Sequence, residues 1–267
     1  MALGMLQHTS IREHGPDDLT AVHLQIEAIK LAYADLHAFV ADRDHMTEVD
    51  ETALLDPEYL KSRAALISED KAQDFGPGAP KRGGTVLLNV ADASGMMISF
   101  IQSNYAGFGS GVVVPGTGVS MQNRGFGFTT EEGHPNQVAG GKRPFHTIIP
   151  GFAMKNGQPL MAFGMMGGPI QAQGHMQLLL RTELWDQDVQ TAADAPRWRM
   201  IEGLDVACEP SMAPALLEGL KTLGHKVQVE APDNAFGFGG AQLVHRLPEG
   251  GFAAGSDPRK DGQAAGF

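Results

Sequence analysis

The 267-residue chain is short of several residue types, and each shortage excludes a class of protein. Its one cysteine, Cys208, cannot form an internal disulfide, so the fold does not depend on an oxidising compartment. No run of about 18 apolar residues occurs, which excludes a transmembrane helix. The first residues have neither the basic start nor the apolar run of a secretory signal. We therefore expect a cytoplasmic protein.

Basic residues are also scarce. The 20 Lys and Arg residues stand against 31 Asp and Glu, which gives a net charge of −11. An acidic surface disfavours nucleic acid and anionic membranes, so neither is expected as a partner. An anionic substrate would need a local basic pocket. With 42% hydrophobic residues, the chain still has enough apolar side chains for a full globular core.

Several catalytic motifs are absent from the sequence. The ten histidines form no HExxH motif and no Cys/His ligand spacing, so no metal or other cofactor is expected. There is no GxSxG motif, although a Ser-His-Asp triad stays open because its members need not be close in sequence. The glycine-dense Gly107–Gly111 matches no phosphate-binding loop and precedes strand-like residues. It predicts a tight turn that brings backbone near a ligand.

The sequence pattern changes from helical to strand-like near residue 84. Before it, apolar residues recur at helical spacing from Val22 to Val40, which predicts a long helix, and Asp56–Pro57 opens a shorter one. After it, turn signals such as Asn156–Gly157 predict antiparallel hairpins. The predicted strands are 85–90, 96–102, 152–154, 160–163, 242–244 and 251–254, and the predicted helices are 171–184 and 213–223, the latter capped by Ser211. The result is an α+β architecture with helices covering a hairpin-built sheet.

Thr85 is the candidate nucleophile. It opens a strand directly after Gly83 and Gly84, at the end of a polar, glycine- and proline-bearing segment that is accessible to cleavage. A cut between Gly84 and Thr85 would give Thr85 a free α-amino group beside its own hydroxyl, a nucleophile with its own general base. The alternative is an ordinary loop that leads into a strand.

Gly167 and Gly168 are the candidate oxyanion donors. They follow a predicted strand and precede a predicted helix, where backbone N–H groups are free to point at developing negative charge. The alternative is a turn that needs positive φ.

Taken in order, these segments resemble the γ-glutamyltranspeptidase (glutathione hydrolase) family, from the end of its large subunit through its small subunit. The resemblance covers nearly the whole chain and lacks the front of the family's large subunit. The matching segments are 34–44, 56–60, 85–92, 100–105, 107–118, 122–125, 141–144, 167–168, 194–197 and 255–259.

The resemblance implies the N-terminal-nucleophile hydrolase fold, an αββα four-layer sandwich that is incomplete here at its N-terminal side. Residues 1–84 would be the helical end of the large subunit with its exposed pre-cleavage loop, and residues 85–267 the catalytic segment. The precursor would cut itself at Gly84–Thr85. Thr85 would then form an acyl-enzyme from a γ-glutamyl or related acyl amide, and water or an amine acceptor would resolve it.

The resemblance also assigns roles to individual residues. Gly167 and Gly168 would supply the oxyanion N–H groups, and Ser103 would hydrogen-bond the nucleophile. The predicted substrate-binding residues are Tyr105, Arg124, His146 and Thr147.

Five residues depart from the family pattern. Tyr105 replaces an asparagine, Gly127 replaces the aspartate that grips the substrate's α-amino group, and Val86 replaces a second threonine. His146–Thr147 replaces a serine pair. These departures favour a different acyl amide, such as a glutaryl amide, as the alternative substrate.

Other functions stay open at this point. The chain could be an inactive truncated remnant, a half-enzyme that needs a companion large-subunit chain, or a small-molecule-binding module. Half of a layered sandwich exposes sheet edges and an apolar face, so self-association is also expected.

Overall fold

The structure is a computed structural model, and it describes residues 1–76, 84–230 and 237–267. Its helices are α1 (Ala2–Leu6), α2 (Leu19–Phe39), α3 (Glu51–Leu54), α4 (Pro57–Ala64), α5 (Ile170–Leu179), α6 (Val189–Asp194) and α7 (Pro214–Thr222). Its strands are β1 (Gly84–Ala91), β2 (Met97–Tyr105), β3 (Gly151–Lys155), β4 (Gln158–Met166), β5 (Trp198–Glu202), β6 (Asp205–Cys208), β7 (Lys226–Val229), β8 (Gly240–Arg246) and β9 (Phe252–Ser256).

Two compact units share the chain, and they interleave along the sequence. The first unit contains Met1–Pro80, Asn123–His146 and Trp198–Val229. The second contains Lys81–Gln122, Thr147–Arg197 and Glu230–Phe267. These units are defined by which residues pack together. The predicted boundary between residues 84 and 85 is instead a cleavage point, and it stays a prediction.

The first unit is built around α2. Every residue of α2 from Ala21 to Leu31 is buried, because α1, α7 and β5 all pack against this helix. Gly219 lets α7 approach closely, since a Cβ there would stand 2.6 Å from Leu19 Cδ2. The sheet of this unit has the order β5-β6-β7, with β5 and β6 antiparallel and β6 and β7 parallel.

The second unit stacks a hairpin on a four-stranded sheet. β1 and β2 form the antiparallel hairpin, and the sheet has the antiparallel order β3-β4-β8-β9. Leu87 of the hairpin lies over Gly164, while α5 brings Gly174 against the side chain of Met165. Because adjacent strand residues point to opposite faces, the hairpin and α5 cover opposite faces of β4. That explains why residues 161–166 are apolar without alternation and are all buried.

Local signals placed most of these elements correctly, with some corrections. The predicted long helix is α2, and the Asp56 side chain caps α4 by accepting from the Tyr59 N–H at 3.0 Å. β4 runs to Met166, three residues beyond the predicted end at Phe163. The helix predicted over 171–184 is α5 followed by a π-helical turn at Leu180–Leu184.

Two further features differ from the sequence-based expectation. Ser211 does not cap α7, whose N-cap is Ala213 and which begins with Pro214. The three short strands β5, β6 and β7 were not predicted at all. Part of the predicted pre-cleavage loop, residues 77–83, lies outside the described residues. No helix in the described part of the chain is long and apolar enough to cross a membrane.

Candidate active site

Thr85 lies at an irregularity in the β1–β2 ladder. Gly84 pairs with Tyr105 and Val86 pairs with Gln102, so Thr85 alone faces the two residues between them, Ser103 and Asn104. Two residues opposite one define a β-bulge, which interrupts the ladder and re-aims side chains. Thr85 is half-buried and therefore accessible.

The register makes Ser103 one of the two β2 residues that face Thr85, which agrees with the predicted support of the nucleophile. The Ser103 hydroxyl also accepts from the Tyr105 N–H at 2.9 Å and so shapes the end of β2. A bond from Ser103 to Thr85 stays a prediction.

Tyr105 closes the hairpin in an unusual conformation. It is buried, it pairs with Gly84, and its φ is 75°. A left-handed conformation at a bulky residue costs on the order of 1–3 kcal/mol and persists only where the surroundings enforce it. The residue opposite the predicted cleavage point is thus strained.

Gly167 and Gly168 form the turn between β4 and α5. Their φ values are 132° and 66°, so the expected need for positive φ is met at both residues. A Cβ on Gly167 would stand 2.5 Å from Ile170 Cγ2 and 3.0 Å from Gly239 Cα. The conformation and the available space both require glycine at position 167.

The hairpin packs on β4, the strand that leads into the glycine turn. Leu87 touches Gly164. That contact lies two residues after Thr85 on β1 and three residues before Gly167 on β4. The predicted nucleophile and the predicted oxyanion donors therefore stand on adjoining elements of the second unit.

His175 supports the end of β4, a role that the sequence did not reveal. Its Nε2 accepts from the Met165 N–H at 3.1 Å, beyond Phe163, where pairing of β4 with β3 ends. Burial lowers the pKa of His175 to about 4. The ring is therefore neutral at pH 7, as an acceptor nitrogen requires.

A family model described as Gamma-glutamyltranspeptidase matches residues 1–267. The chain belongs to the gamma-glutamyltranspeptidase family. The oxamate amidohydrolase proenzyme of Klebsiella pneumoniae is 39% identical over 256 residues, which cover 94% of this chain and 48% of that protein. The glutathione hydrolase-like YwrD proenzyme of Bacillus subtilis is 33% identical, over 96% of this chain and 48% of that protein.

The solved structures agree with the family assignment. Cephalosporin acylase from Bacillus halodurans superimposes with a TM-score of 0.89 at 43% identity, covering all of this chain and 49% of that one. The predicted α+β fold of the N-terminal-nucleophile hydrolase class is thereby confirmed. The chain spans about half the length of the curated relatives it matches.

Position 127, where the resemblance predicts an aspartate that contacts the substrate, has no space for a side chain here. A Cβ on Gly127 would stand 2.9 Å from the Phe145 carbonyl oxygen. Asn136 fixes that approach, because its amide donates to Gly127 O at 2.6 Å and its side-chain oxygen accepts from the Phe145 N–H at 2.9 Å. A carboxylate cannot be restored at position 127 without moving this backbone.

The other predicted substrate-binding residues are divided between the units. Arg124 is buried in a 3₁₀ turn of the first unit, Arg124–Gly127. His146 of the same unit is exposed over part of its surface, while desolvation of the rest of the ring and, secondly, the charge of Arg124 lower its pKa. Thr147 is buried in the second unit, as is Tyr105. Their binding roles stay predictions.

A buried cluster in the first unit has the composition of a metal site but not its chemistry. His23, Glu27 and His225 bring ligand atoms within 4.8 Å of one another. However, Lys30 donates to Glu27 Oε1 at 2.7 Å and lies 3.4 Å from His225 Nδ1. Its ammonium already neutralises the carboxylate that a cation would need, and His23 Nδ1 and His225 Nε2 are bonded to each other at 2.7 Å.

The protons of this cluster can be assigned from its partners. His23 Nε2 lies 2.8 Å from the Ser68 carbonyl, which only accepts, so Nε2 carries the proton. His23 Nδ1 must then accept from His225 Nε2 at 2.7 Å, which leaves His225 Nδ1 to accept from Lys30. Both rings are neutral, and burial lowers the pKa of both, that of His225 to about 3. The cluster is a closed hydrogen-bond network.

Proposed function

We propose that the chain is the catalytic part of an amidohydrolase of this family, with Thr85 as the nucleophile after cleavage of the Gly84–Thr85 bond. The observation that carries the proposal is the bulge that sets Thr85 alone opposite two residues of β2. The two relatives named above are proenzymes by name, one an amidohydrolase and one glutathione hydrolase-like. Both names fit hydrolysis at a carbonyl–nitrogen bond.

The cleavage step needs only groups of this chain and water. The Thr85 hydroxyl oxygen attacks the Gly84 carbonyl carbon, the peptide C–N bond breaks, and the hydroxyl proton passes to the Thr85 nitrogen, which becomes an amine. Water hydrolyses the resulting ester to a Gly84 carboxylate and restores the hydroxyl. The new amine is placed to take the hydroxyl proton in later turnovers.

Turnover repeats this chemistry on a substrate amide. The Thr85 oxygen attacks the acyl carbon while its proton passes to the α-amine. The N–H groups of Gly167 and Gly168 stabilise the oxyanion, and the leaving amine departs with the proton. Water or an acceptor amine then resolves the acyl ester.

The proposed substrate class depends on position 127, where the resemblance predicts a carboxylate that contacts the substrate's α-amino group and this chain has Gly127. An ammonium held in a protein interior without its carboxylate partner is strongly disfavoured. Because Gly127 has no room for a side chain, we propose an acyl group without a free α-amino group, such as a glutaryl amide. A γ-glutamyl amide is the weaker substrate in this proposal.

An exposed apolar face on the hairpin supports a companion segment. Alternate residues of β1 and β2 point outward and remain exposed: Val86, Leu88, Val90, Ile98 and Phe100. Such a contiguous face indicates an interaction surface. We propose that it is covered by a large-subunit segment, since the relatives are about twice as long. We also propose a cytoplasmic location, because Cys208 is a free, buried thiol.

Intact mass before and after incubation tests the proposal. The chain of 28.4 kDa should divide into residues 1–84 and 85–267, with Thr85 as a new N-terminus. Thr85→Ser keeps the hydroxyl and should still cleave, whereas Thr85→Ala should stay intact. Cleaved protein should hydrolyse glutaryl-p-nitroanilide faster than γ-glutamyl-p-nitroanilide. A wild-type chain that melts cooperatively yet stays intact and is not labelled at Thr85 by an acylating reagent would show an inactive remnant instead.

A further inference from the structure

A buried ion pair lies in the second unit. The Arg197 guanidinium is 2.6 Å from Asp257 Oδ2, and the two residues are 2% and 1% exposed. Burial alone would raise the pKa of Asp257. The charges of Arg197 and Arg259 and the backbone N–H groups that Asp257 accepts outweigh burial, so its pKa lies below the ordinary value. The carboxylate is charged at pH 7 and fully engaged.

The same pair holds both ends of the segment 238–241. Arg197 donates to the Phe238 carbonyl at 3.1 Å. Asp257 Oδ2 accepts from the Ala241 N–H at 2.7 Å, and the Asp257 N–H donates to the Ala241 carbonyl at 3.0 Å. The position of this segment therefore depends on the ion pair at each of its ends.

Between those anchors, Gly239 lies against the glycine turn. A Cβ on Gly167 would stand 3.0 Å from Gly239 Cα, and a Cβ on Gly239 would collide with the Met166 carbonyl oxygen. Gly239 has φ 70°. Because neither glycine has a side chain that could rotate aside, a displacement of the segment 238–241 must displace the turn at Gly167.

We propose that Arg197 and Asp257 are positioning residues that fix the direction of the Gly167 and Gly168 N–H groups through the segment 238–241. The inference rests on the proposed function, in which those N–H groups stabilise the oxyanion. Such donors act at about 2.7–3.1 Å from the developing charge, and a displacement of about 1 Å costs about 10²-fold in rate. Neither Arg197 nor Asp257 needs to touch the substrate.

Arg259 provides a matched control for Arg197. Both arginines bond Asp257, and both donate to the Ala193 carbonyl, at 3.0 Å from Arg197 and 2.9 Å from Arg259. They differ in their remaining backbone partner: Arg197 donates to Phe238 O, whereas Arg259 donates to Ala195 O at 2.9 Å. Arg259→Gln removes the same charge from Asp257 but keeps the bond to Phe238, although the Arg259 side chain is 19% exposed against 3% for Arg197.

The experiment compares Arg197→Gln with Arg259→Gln in the full chain. Hydrogen exchange followed by mass spectrometry reports on peptides that span residues 163–170. Steady-state hydrolysis of glutaryl-p-nitroanilide gives kcat and KM. For Arg197→Gln we expect faster exchange in those peptides and a kcat lowered by about 10–100-fold with KM within about threefold. For Arg259→Gln we expect unchanged exchange there and a kcat within about threefold of wild type. If Arg197→Gln does not fold, Arg197→Lys replaces it, because lysine keeps the charge without the fork that reaches Phe238.

The outcomes separate this inference from the proposed function. Equal exchange and equal kcat in the two variants overturn the positioning role. Unchanged exchange at 163–170 in Arg197→Gln overturns it as well, whatever the kinetics. A wild-type chain whose hydrolysis does not exceed that of Thr85→Ala refutes the proposed function, while the exchange measurement still decides whether the pair fixes the turn.

Discussion

Replacing Lys30 with methionine should destabilise the protein by about 3–5 kcal/mol. Lys30 is buried with Glu27, and its ammonium donates to Glu27 Oε1 at 2.7 Å and to the Gln73 carbonyl at 2.9 Å. Without Lys30, the Glu27 carboxylate must either stay charged in the interior or take up a proton. From the ordinary glutamate pKa of 4.5, protonation at pH 7 costs about 3.4 kcal/mol, at 1.36 kcal/mol for each pH unit. The acceptors left without a donor add about 1 kcal/mol.

Methionine is the chosen substitution because it preserves the apolar stem and leaves no large cavity. The free energy of unfolding is measured by urea titration at pH 7. A natural control exists on α7, where Lys221 contacts Glu218 at 2.6 Å with the same spacing of three residues but in solvent. Lys221→Met should cost at most about 0.5 kcal/mol. Equal losses for the two methionine variants would refute the role of burial.

The double variant Glu27→Gln, Lys30→Met tests the same reasoning from the other side. Removing both charges removes the uncompensated carboxylate, and the introduced glutamine side chain can still accept from the Gln73 N–H that now bonds Glu27 at 3.1 Å. The double variant should therefore recover about 2 kcal/mol or more relative to Lys30→Met alone. A double variant no more stable than Lys30→Met would show that the charge of Glu27 is not the cause.

Three other outcomes are expected. Burial lowers the pKa of His225 from 6.5 to about 3, so between pH 7 and pH 5 this residue takes up a proton in the unfolded chain but not in the folded one. The free energy of unfolding should therefore fall by about 2 kcal/mol over this range because of His225. The fall measured by urea titration should be smaller in His225→Gln. Gly167→Ala should lower kcat by about 10²-fold in the anilide assay. The control is Gly157→Ala, which should leave kcat unchanged, because Gly157 also has positive φ but has open space around it. Equal effects of the two substitutions would contradict the argument from crowding at Gly167. Burial raises the pKa of Cys208 to about 12, so iodoacetamide should not modify the native protein at pH 8 but should modify it in urea, and rapid native labelling would contradict this.

The sequence predicted those elements whose signals are local. The hairpin turn at Asn156–Gly157 was expected from its residue types, and both residues indeed have positive φ, 52° and 76°. α2 was expected because its apolar residues recur over many turns. Thr85, Gly167 and Gly168 stood out for the same reason, since adjacent glycines mark special backbone within a few residues.

Features that depend on distant residues could not be predicted. β6 has only four residues, and its partner β7 is parallel and lies beyond α7, so no hairpin signal marks the pair. Arg197 and Asp257 each belong to a charged turn that is ordinary by itself, and only the fold brings them together across sixty residues. The bond between His23 and His225 is longer in range still.

The strained tyrosine opposite Gly84 has a consequence for the direction of the proposed cleavage. While Gly84 remains joined to Thr85, it pairs with Tyr105 at the end of β2, where Tyr105 has its left-handed conformation. Once the bond is cut, Gly84 is a chain end that can leave the ladder, and any relief of the left-handed conformation at Tyr105 would release on the order of 1–3 kcal/mol. Rejoining the two ends would require the tyrosine to be strained again. The hairpin would thus make the processed state the lower one in free energy and keep the new amino terminus clear of its former partner.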